Sequence, residues 1–258
     1  TTLVFSAVLL WVGYFSILTV GVLVVTLNVI QWLLSPYLVG AIYKVKELPE
    51  NDNPQLHKMV SDLSVKSKIS KPKLMLSQIS LPNAFAYGSP LTGSRVAITQ
   101  GLINNLDAGE VEAVIGHELG HLKHRDVQVM MVVSFLPALF YYIGYSLMLS
   151  GMFGGGRDSR GEGSGNSALI GIAFMAFSWI LTFFTLYLSR LREYYADRHS
   201  VSVVDNGAEK LSTGLVTIVE QSRRGAGRKR DAPNNSAFKA LFISDPDRAN
   251  VDAQEIHT

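Results

Sequence analysis

The chain has 258 residues, 48% of them hydrophobic and 17% charged, and it has no cysteine. That balance is too apolar for an ordinary soluble domain of this length and points to membrane spans; lack of cysteine removes disulfide frameworks and thiolate metal sites. A net charge of +2, with no basic stripe interleaved with aromatics, argues against nucleic acid as a partner.

The sequence starts at Thr1 without Met, from which an upstream segment is expected. Leu3 to about Leu34 is nearly unbroken apolar sequence without charge, longer than the roughly 20 residues that cross a bilayer core. It predicts one membrane helix rather than a signal peptide, since it lacks a basic lead and a small-residue cleavage site. Asn28, Gln31, Trp32 and Ser35-Pro36-Tyr37 read as its interfacial end, with Pro36 ending or bending the helix. Beyond it, Asn53 to Lys68 carries apolar residues at helical spacing, and Pro54 suits a first turn. Lys73 to Ser77, Ala84 to Gly88 and Arg95 to Thr99 predict short strands between Pro and Gly turns. The segment Leu81 to Gly88 is small and alternating; as an edge strand it could pair with an extended peptide backbone, and as a plain hairpin strand it would do nothing more.

The next stretch holds the densest chemistry. Asp107 and Glu110 form a capping-box pattern ahead of an apolar run, and the helix so begun contains His117-Glu118-Leu119-Gly120-His121. Two histidines four apart share one helix face. They are spaced to bind one Zn²⁺, while Glu118 is placed to take a proton from the attacking water. An amphipathic helix with two incidental histidines is the competing reading. Val127 to Ser150 and Ala168 to Ser189 are then apolar for 24 and 22 residues, each long enough to span a bilayer. Pro137 is expected to kink the first, and Gly151 to Ser167 reads as a flexible polar loop. Lys44, Lys46, Lys123, Arg125, Arg190 and Arg192 flank the spans on one side, which is expected to be cytoplasmic.

After the last span comes Arg192-Glu193-Tyr194-Tyr195-Ala196-Asp197. Glu193 and Asp197 lie four apart on a helix face. A zinc site with two histidines needs a third protein ligand, which Glu193 supplies, and Asp197 could orient a ligating histidine; pairing with Arg192 and Arg198 is the blander role. The two spans between the motifs form a hairpin whose ends return to one side, which turns sequence distance into proximity. His199 points away from the Glu193 face and reads as a helix-surface residue or an outer neighbour of the site. His124 reads as a solvated interfacial histidine, and His57 and His257 take no role. Asp205 to Ser222 reads as an amphipathic helix, and Arg223 to Ser236 as a basic loop.

These motifs, together with Pro82-Asn83-Ala84-Phe85-Ala86-Tyr87-Gly88, resemble the HtpX-type membrane zinc endopeptidases, relatives of the CAAX prenyl proteases. The resemblance implies an integral membrane, zincin-like metallopeptidase, mainly α with a small β-sheet. One Zn²⁺ would be held by His117, His121 and Glu193, with Glu118 as base and Asp197 behind a ligand. Asn83, Ala84, Phe85, Ala86 and Tyr87 would form the substrate strand. The oxyanion would fall to Tyr194, Tyr195 or Arg248. Where relatives carry His-Pro near the C-terminus, this chain has Ser244-Asp245-Pro246-Asp247-Arg248, so no role for that histidine carries over. The expected organisation is a helix and linker over 1–47, the first half of the peptidase over 48–126, a membrane hairpin over 127–190 and the second half over 191–258. Family members usually have four spans, which fits a first helix lying before Thr1. The implied work is quality control: cleaving damaged or misassembled membrane proteins or unfolded polypeptides at the cytoplasmic face of the cell membrane. Two other functions compete: cleavage of prenylated C-terminal peptides, for which three spans are few to enclose an apolar chamber, and a non-catalytic membrane scaffold, which would not need Glu118.

Overall fold

The computed structural model describes residues 17–153 and 163–228. Within them the elements run α1 (Ile17–Ile42), β1 (Val45–Glu47), α2 (Pro54–Ser67), β2 (Lys73–Ser77), β3 (Ala84–Ser89), β4 (Gly93–Thr99), α3 (Gln100–Asn105), α4 (Ala108–His124), α5 (Asp126–Phe153), α6 (Gly163–Val203) and α7 (Gly207–Arg228). The fold is mainly helical with one small mixed sheet, as the sequence predicts. The described residues group into two units, 17–31 with 128–191 and 32–127 with 192–228.

In the first unit the facing parts of α5 and α6 approach at glycine. A Cβ on Gly144 would lie 2.5 Å from the Gly171 carbonyl oxygen, so neither position admits a side chain without moving a helix. Phe140 stacks on Phe174 with ring centroids 5.6 Å apart, and the Ser178 hydroxyl donates to the Pro137 carbonyl. Three helices among the described residues are long and apolar enough to cross a membrane: Val25–Ile42, Asp126–Met152 and Asn166–Val203. Only 6%, 6% and 11% of these windows are buried by protein. So much bare apolar surface is what lipid, not water, accommodates.

The second unit is built around the sheet, whose order is β1-β2-β4-β3. β1 pairs antiparallel with β2, β2 parallel with β4, and β4 antiparallel with β3. Side-chain alternation gives it two apolar faces. Leu74, Ala84, Val96 and Ile98 join a core with Leu56, Val60 and Leu63 of α2, Val114, Ile115 and Leu119 of α4, and Leu211 and Ile218 of α7. Met75, Phe85, Tyr87 and Ala97 face the other way and pack with Tyr43 and, in part, Val39. The β3–β4 hairpin is tied to α1 by the Ser89 hydroxyl, which donates to the Leu33 carbonyl.

Several expectations are corrected. Pro36 does not end the first helix, which continues to Ile42. A proline has no N–H for the carbonyl four residues back; here that carbonyl, on Trp32, accepts from the Ser35 hydroxyl at 2.9 Å. The linker after α1 contains β1, too short to show a period. α3 was likewise not foreseen; its cap is Thr99, whose hydroxyl accepts from the Leu102 N–H. The polar loop is shorter than expected, because Gly151 to Phe153 and Gly163 to Ser167 are helical. Arg223 to Arg228 extend α7 rather than opening a loop. Residues 229–258, including Arg248 and His257, lie outside the described residues, as do the first turns of the expected first span.

Candidate metal centre

The residues of α4 are delivered by a helix with both ends fixed. Asp107 accepts from the Glu110 N–H at 2.8 Å and its own N–H donates back to Glu110 at 3.0 Å. At the other end Arg125 adopts a left-handed conformation, φ 56°, and its N–H closes the last turn. Between them α4 packs on the last turns of α6 through small residues. A Cβ on Gly116 would come within 3.1 Å of the Ser200 hydroxyl, and one on Gly120 within 3.0 Å of the Ala196 Cα. Ser200 also donates to the Ala113 carbonyl at 2.6 Å. Close backbone approach along this seam sets α4 against the segment that carries Glu193 and Asp197.

Three ligand-type atoms converge there. His117 Nε2 and His121 Nε2 are 3.1 Å apart, and each is 3.6 Å from Glu193 Oε2. A triangle with those edges has a point about 2.0 Å from all three corners in its plane; a short step out of the plane brings the distances to the roughly 2.0–2.2 Å of first-row metal bonds to imidazole and carboxylate. The set of His117, His121 and Glu193 is therefore compatible with a divalent metal ion.

The far side of each imidazole is anchored. His117 Nδ1 donates to Asp197 at 2.8 Å and His121 Nδ1 to Asp126 at 2.6 Å, with the tautomers assigned from these contacts. A carboxylate on Nδ1–H leaves the Nε2 lone pair free to bind a metal and raises its basicity. Burial works against a charged His117, yet its hydrogen bonds to Asp197 and Glu193, with the charge of Glu118, outweigh that and raise its pKa to about 10. That is the electrostatics of a pocket prepared for positive charge.

Glu118 is 3% exposed. Burial holds its carboxyl above the usual range, against the pull of His117, His121 and the Ala86 amide. Its Oε2 accepts from the Ala86 N–H at 2.7 Å. β3 lies at the end of the sheet order, and Asn83 faces β4, its carbonyl accepting from the Thr99 N–H and its own N–H donating to the Thr99 hydroxyl. Ala84, Ala86 and Gly88 therefore turn their backbone groups to the free edge, by the alternation of an antiparallel ladder.

Of the residues read from the sequence, His117, Glu118, His121, Glu193 and Asp197 are brought together. Of Asn83 to Tyr87, Ala86 reaches the site, through its backbone N–H; Asn83 is buried, and the Phe85 and Tyr87 rings are core, with Tyr43 5.0 Å from Phe85. Tyr194 and Tyr195 are exposed. They contact each other, and Tyr195 lies 5.8 Å from the His124 ring; among the described residues neither hydroxyl bonds to the cluster. His199 is not a surface residue. It is 5% exposed, and its Nε2 meets the Ser67 hydroxyl at 2.9 Å. His57 is buried too, bonded to the Leu48 carbonyl. Asp126, bonded to His121, is the member of the cluster that sequence reasoning missed. Its signal was a lone carboxylate five residues past the second histidine, at the break between two helices. The small-residue pairs Gly116/Gly120 and Ala196/Ser200, each four apart, were the unread signal for the seam.

A model of peptidase family M48 matches residues 50–250. The protein named Protease HtpX homolog from Thermoplasma acidophilum is 39% identical over 238 residues, covering 90% of this chain and 73% of its own length. Protease HtpX homolog 2 from Saccharolobus solfataricus is 40% identical over 238 residues with the same coverages. Among solved structures, S. mikatae Ste24p superposes with a TM-score of 0.53 at 20% identity, covering 77% of this chain and 49% of that one, a likeness of fold.

Proposed function

This chain belongs to peptidase family M48 as an HtpX-type member and is thus a membrane protease, and from that premise we propose that it is a zinc-dependent endopeptidase acting on membrane-embedded or misassembled polypeptides at the cytoplasmic face. The observation that carries the proposal is the convergence of His117, His121 and Glu193 on one point beside Glu118, which sits under the free edge of β3.

Zinc held by those three side chains would polarise the scissile carbonyl and lower the pKa of water. Every other part of the chemistry belongs to the chain. Asp197 and Asp126 hold the two imidazoles in the tautomer that presents Nε2. Glu118, buried and with raised proton affinity, takes a proton from the attacking water and passes it to the leaving amine; a base shifted upward toward neutrality is the better one for that exchange. The free-edge groups of Ala84, Ala86 and Gly88 pair with an extended substrate backbone, which gives grip without reading much sequence. As substrate enters, the Ala86 amide is the group from which Glu118 must turn. Tyr194, Tyr195 and Arg248 remain the proposed sources of oxyanion stabilisation beyond the metal.

The motif-bearing ends of α4 and α6 continue along the chain into apolar spans, which favours substrates that are themselves anchored in lipid. The test is metal content and cleavage of a membrane-anchored reporter and of casein, in detergent, for the wild type and Glu118→Gln. One zinc in both proteins with cleavage by the wild type alone supports the reading. Cleavage by both refutes the role of Glu118, and wild-type protein that binds zinc without cutting either substrate refutes the endopeptidase.

A further inference from the structure

Beside the catalytic cluster, the second unit holds a cleft of about 220 Å³ lined by His124, Tyr195, Arg198, His199 and Ser202. Its size is below the roughly 300 Å³ at which pockets begin to enclose whole drug-sized ligands, so it suits a small polar group. His199 is its buried side, held by Ser67. The His124 ring stands 6.1 Å from the His199 ring and 5.8 Å from that of Tyr195. Lys123, the neighbour of His124 in α4, adds a positive charge that bears on His199.

The charge around this cleft is uncompensated for a reason visible in the site. The acidic side chains on the adjoining turns of α4, α5 and α6 are committed elsewhere: Asp197 to His117, Asp126 to His121, Glu193 to the two histidines and Arg192, and Glu118 to the Ala86 amide. Among the described residues no ion pair engages Lys123 or Arg198. Drawing the carboxylates to the histidine cluster leaves the cations behind, in a concave place with the Arg198 guanidinium, the His124 ring and the Tyr195 hydroxyl, while the Ser202 hydroxyl is already given to the His199 carbonyl at 2.7 Å. These donors suit a tetrahedral oxyanion, and arginine prefers the bidentate contact a phosphate offers.

Chain position narrows the source. His124 is two residues ahead of Asp126, where a candidate span starts, and Tyr195 to Ser202 lie near the C-terminal end of α6, beyond its uncharged apolar stretch from Ala168 to Ser189. Cations at such positions meet the phosphates of anionic lipid. We propose that this cleft binds a phosphate group, carried by an anionic phospholipid headgroup or present as free phosphate.

The test uses the full chain in detergent. Native mass spectrometry compares short-chain phosphatidylglycerol with phosphatidylcholine, and a thermal shift is measured with inorganic phosphate alone. The wild type should prefer phosphatidylglycerol, and Lys123→Gln/Arg198→Gln should lose about 10- to 30-fold in affinity for it. The charge-conserving pair Lys123→Arg/Arg198→Lys should keep the preference, which separates lost binding from lost folding. Stabilisation of the wild type by inorganic phosphate without a lipid preference, abolished in the Gln pair, would assign the same cleft to soluble phosphate. A wild type that responds to neither anion, a preference unchanged in the Gln pair, or equal loss in both variants would overturn the proposal.

Discussion

Gly120→Ala tests whether the seam between α4 and α6 sets the metal geometry. The new Cβ would meet the Ala196 Cα at 3.0 Å, the His199 Cβ at 3.1 Å and the Ala196 carbonyl oxygen at 3.3 Å. Two of these neighbours are backbone atoms, which cannot swing aside, so relief requires the helices to part by about half an ångström to reach ordinary carbon contact near 3.5 Å. Overpacking of this kind costs about 1–3 kcal/mol in a filled interior, offset in part by the gain from replacing a helical glycine, about 1 kcal/mol. The net loss of stability should therefore be small. The metal centre is less forgiving. His121 adjoins Gly120, and Glu193 is three residues before Ala196, so half an ångström at the seam enters the 3.6 Å edges of the ligand triangle directly. Metal sites tolerate about 0.2 Å. The expected outcome is a variant that melts within a few degrees of the wild type, yet has at least tenfold weaker zinc affinity by chelator competition and correspondingly lower cleavage. Wild-type zinc affinity in a folded Gly120→Ala protein would refute the claim that the seam positions the ligands.

Glu118→Gln should retain one zinc and lose about 10²- to 10⁴-fold in cleavage rate, read by metal content and a peptide assay on one preparation. Glu193→Ala should lose both zinc and activity, and full zinc occupancy would remove Glu193 from the ligand set. Asp126→Asn and Asp197→Asn should each weaken zinc about 10- to 100-fold; an effect of Asp197→Asn alone would show that the Asp126 contact does not tune its histidine. Zinc held by residues of both α4 and α6 would bind only the folded chain, so chelation should lower the melting temperature, and saturation at about 100 times the Kd should return about 2.7 kcal/mol. Glu193→Ala should show no such response.

The parts of the fold that were legible in the sequence are those with a local period or a local cap. Lys73 to Ser77 shows as a strand because its short apolar run, Leu74 to Leu76, is closed in by Pro72 and a following turn and is too short for a helix, and the structure has those same bounds. Asp107 and Glu110 announce the start of α4 because the capping interaction is complete within four residues. The first span's end was misplaced because Pro36 was weighed alone, without the Ser35 hydroxyl that satisfies the carbonyl it strands. β1 is three residues long, too few for any alternation to register. His199 was misread because helix periodicity gives the angle between residues on one helix and says nothing of what lies opposite. It points away from Glu193, and what lies there is Ser67 of α2, 132 residues earlier in the chain.

The two histidines show the same limit within a single site. His117 takes its carboxylate from Asp197, 80 residues away, yet that partner was the easier to read, because Asp197 sits one turn from Glu193 on a shared face. His121 takes its carboxylate from Asp126, only five residues on, and no helical rule pairs them, since a continuous helix would carry position five past the neighbouring face. The pairing exists because Arg125 is left-handed, φ 56°. That single residue stops α4 and redirects the chain, so that the first residue of α5 turns back toward the imidazole. Arg125 thus performs two tasks with one conformation: it ends the helix that carries His117 and His121, and it brings in the carboxylate that anchors His121. The conformation costs a non-glycine residue about 1–2 kcal/mol, which the part-buried bond between Asp126 and His121 offsets. The start of the candidate membrane span and the positioning of His121 are therefore set by the same turn.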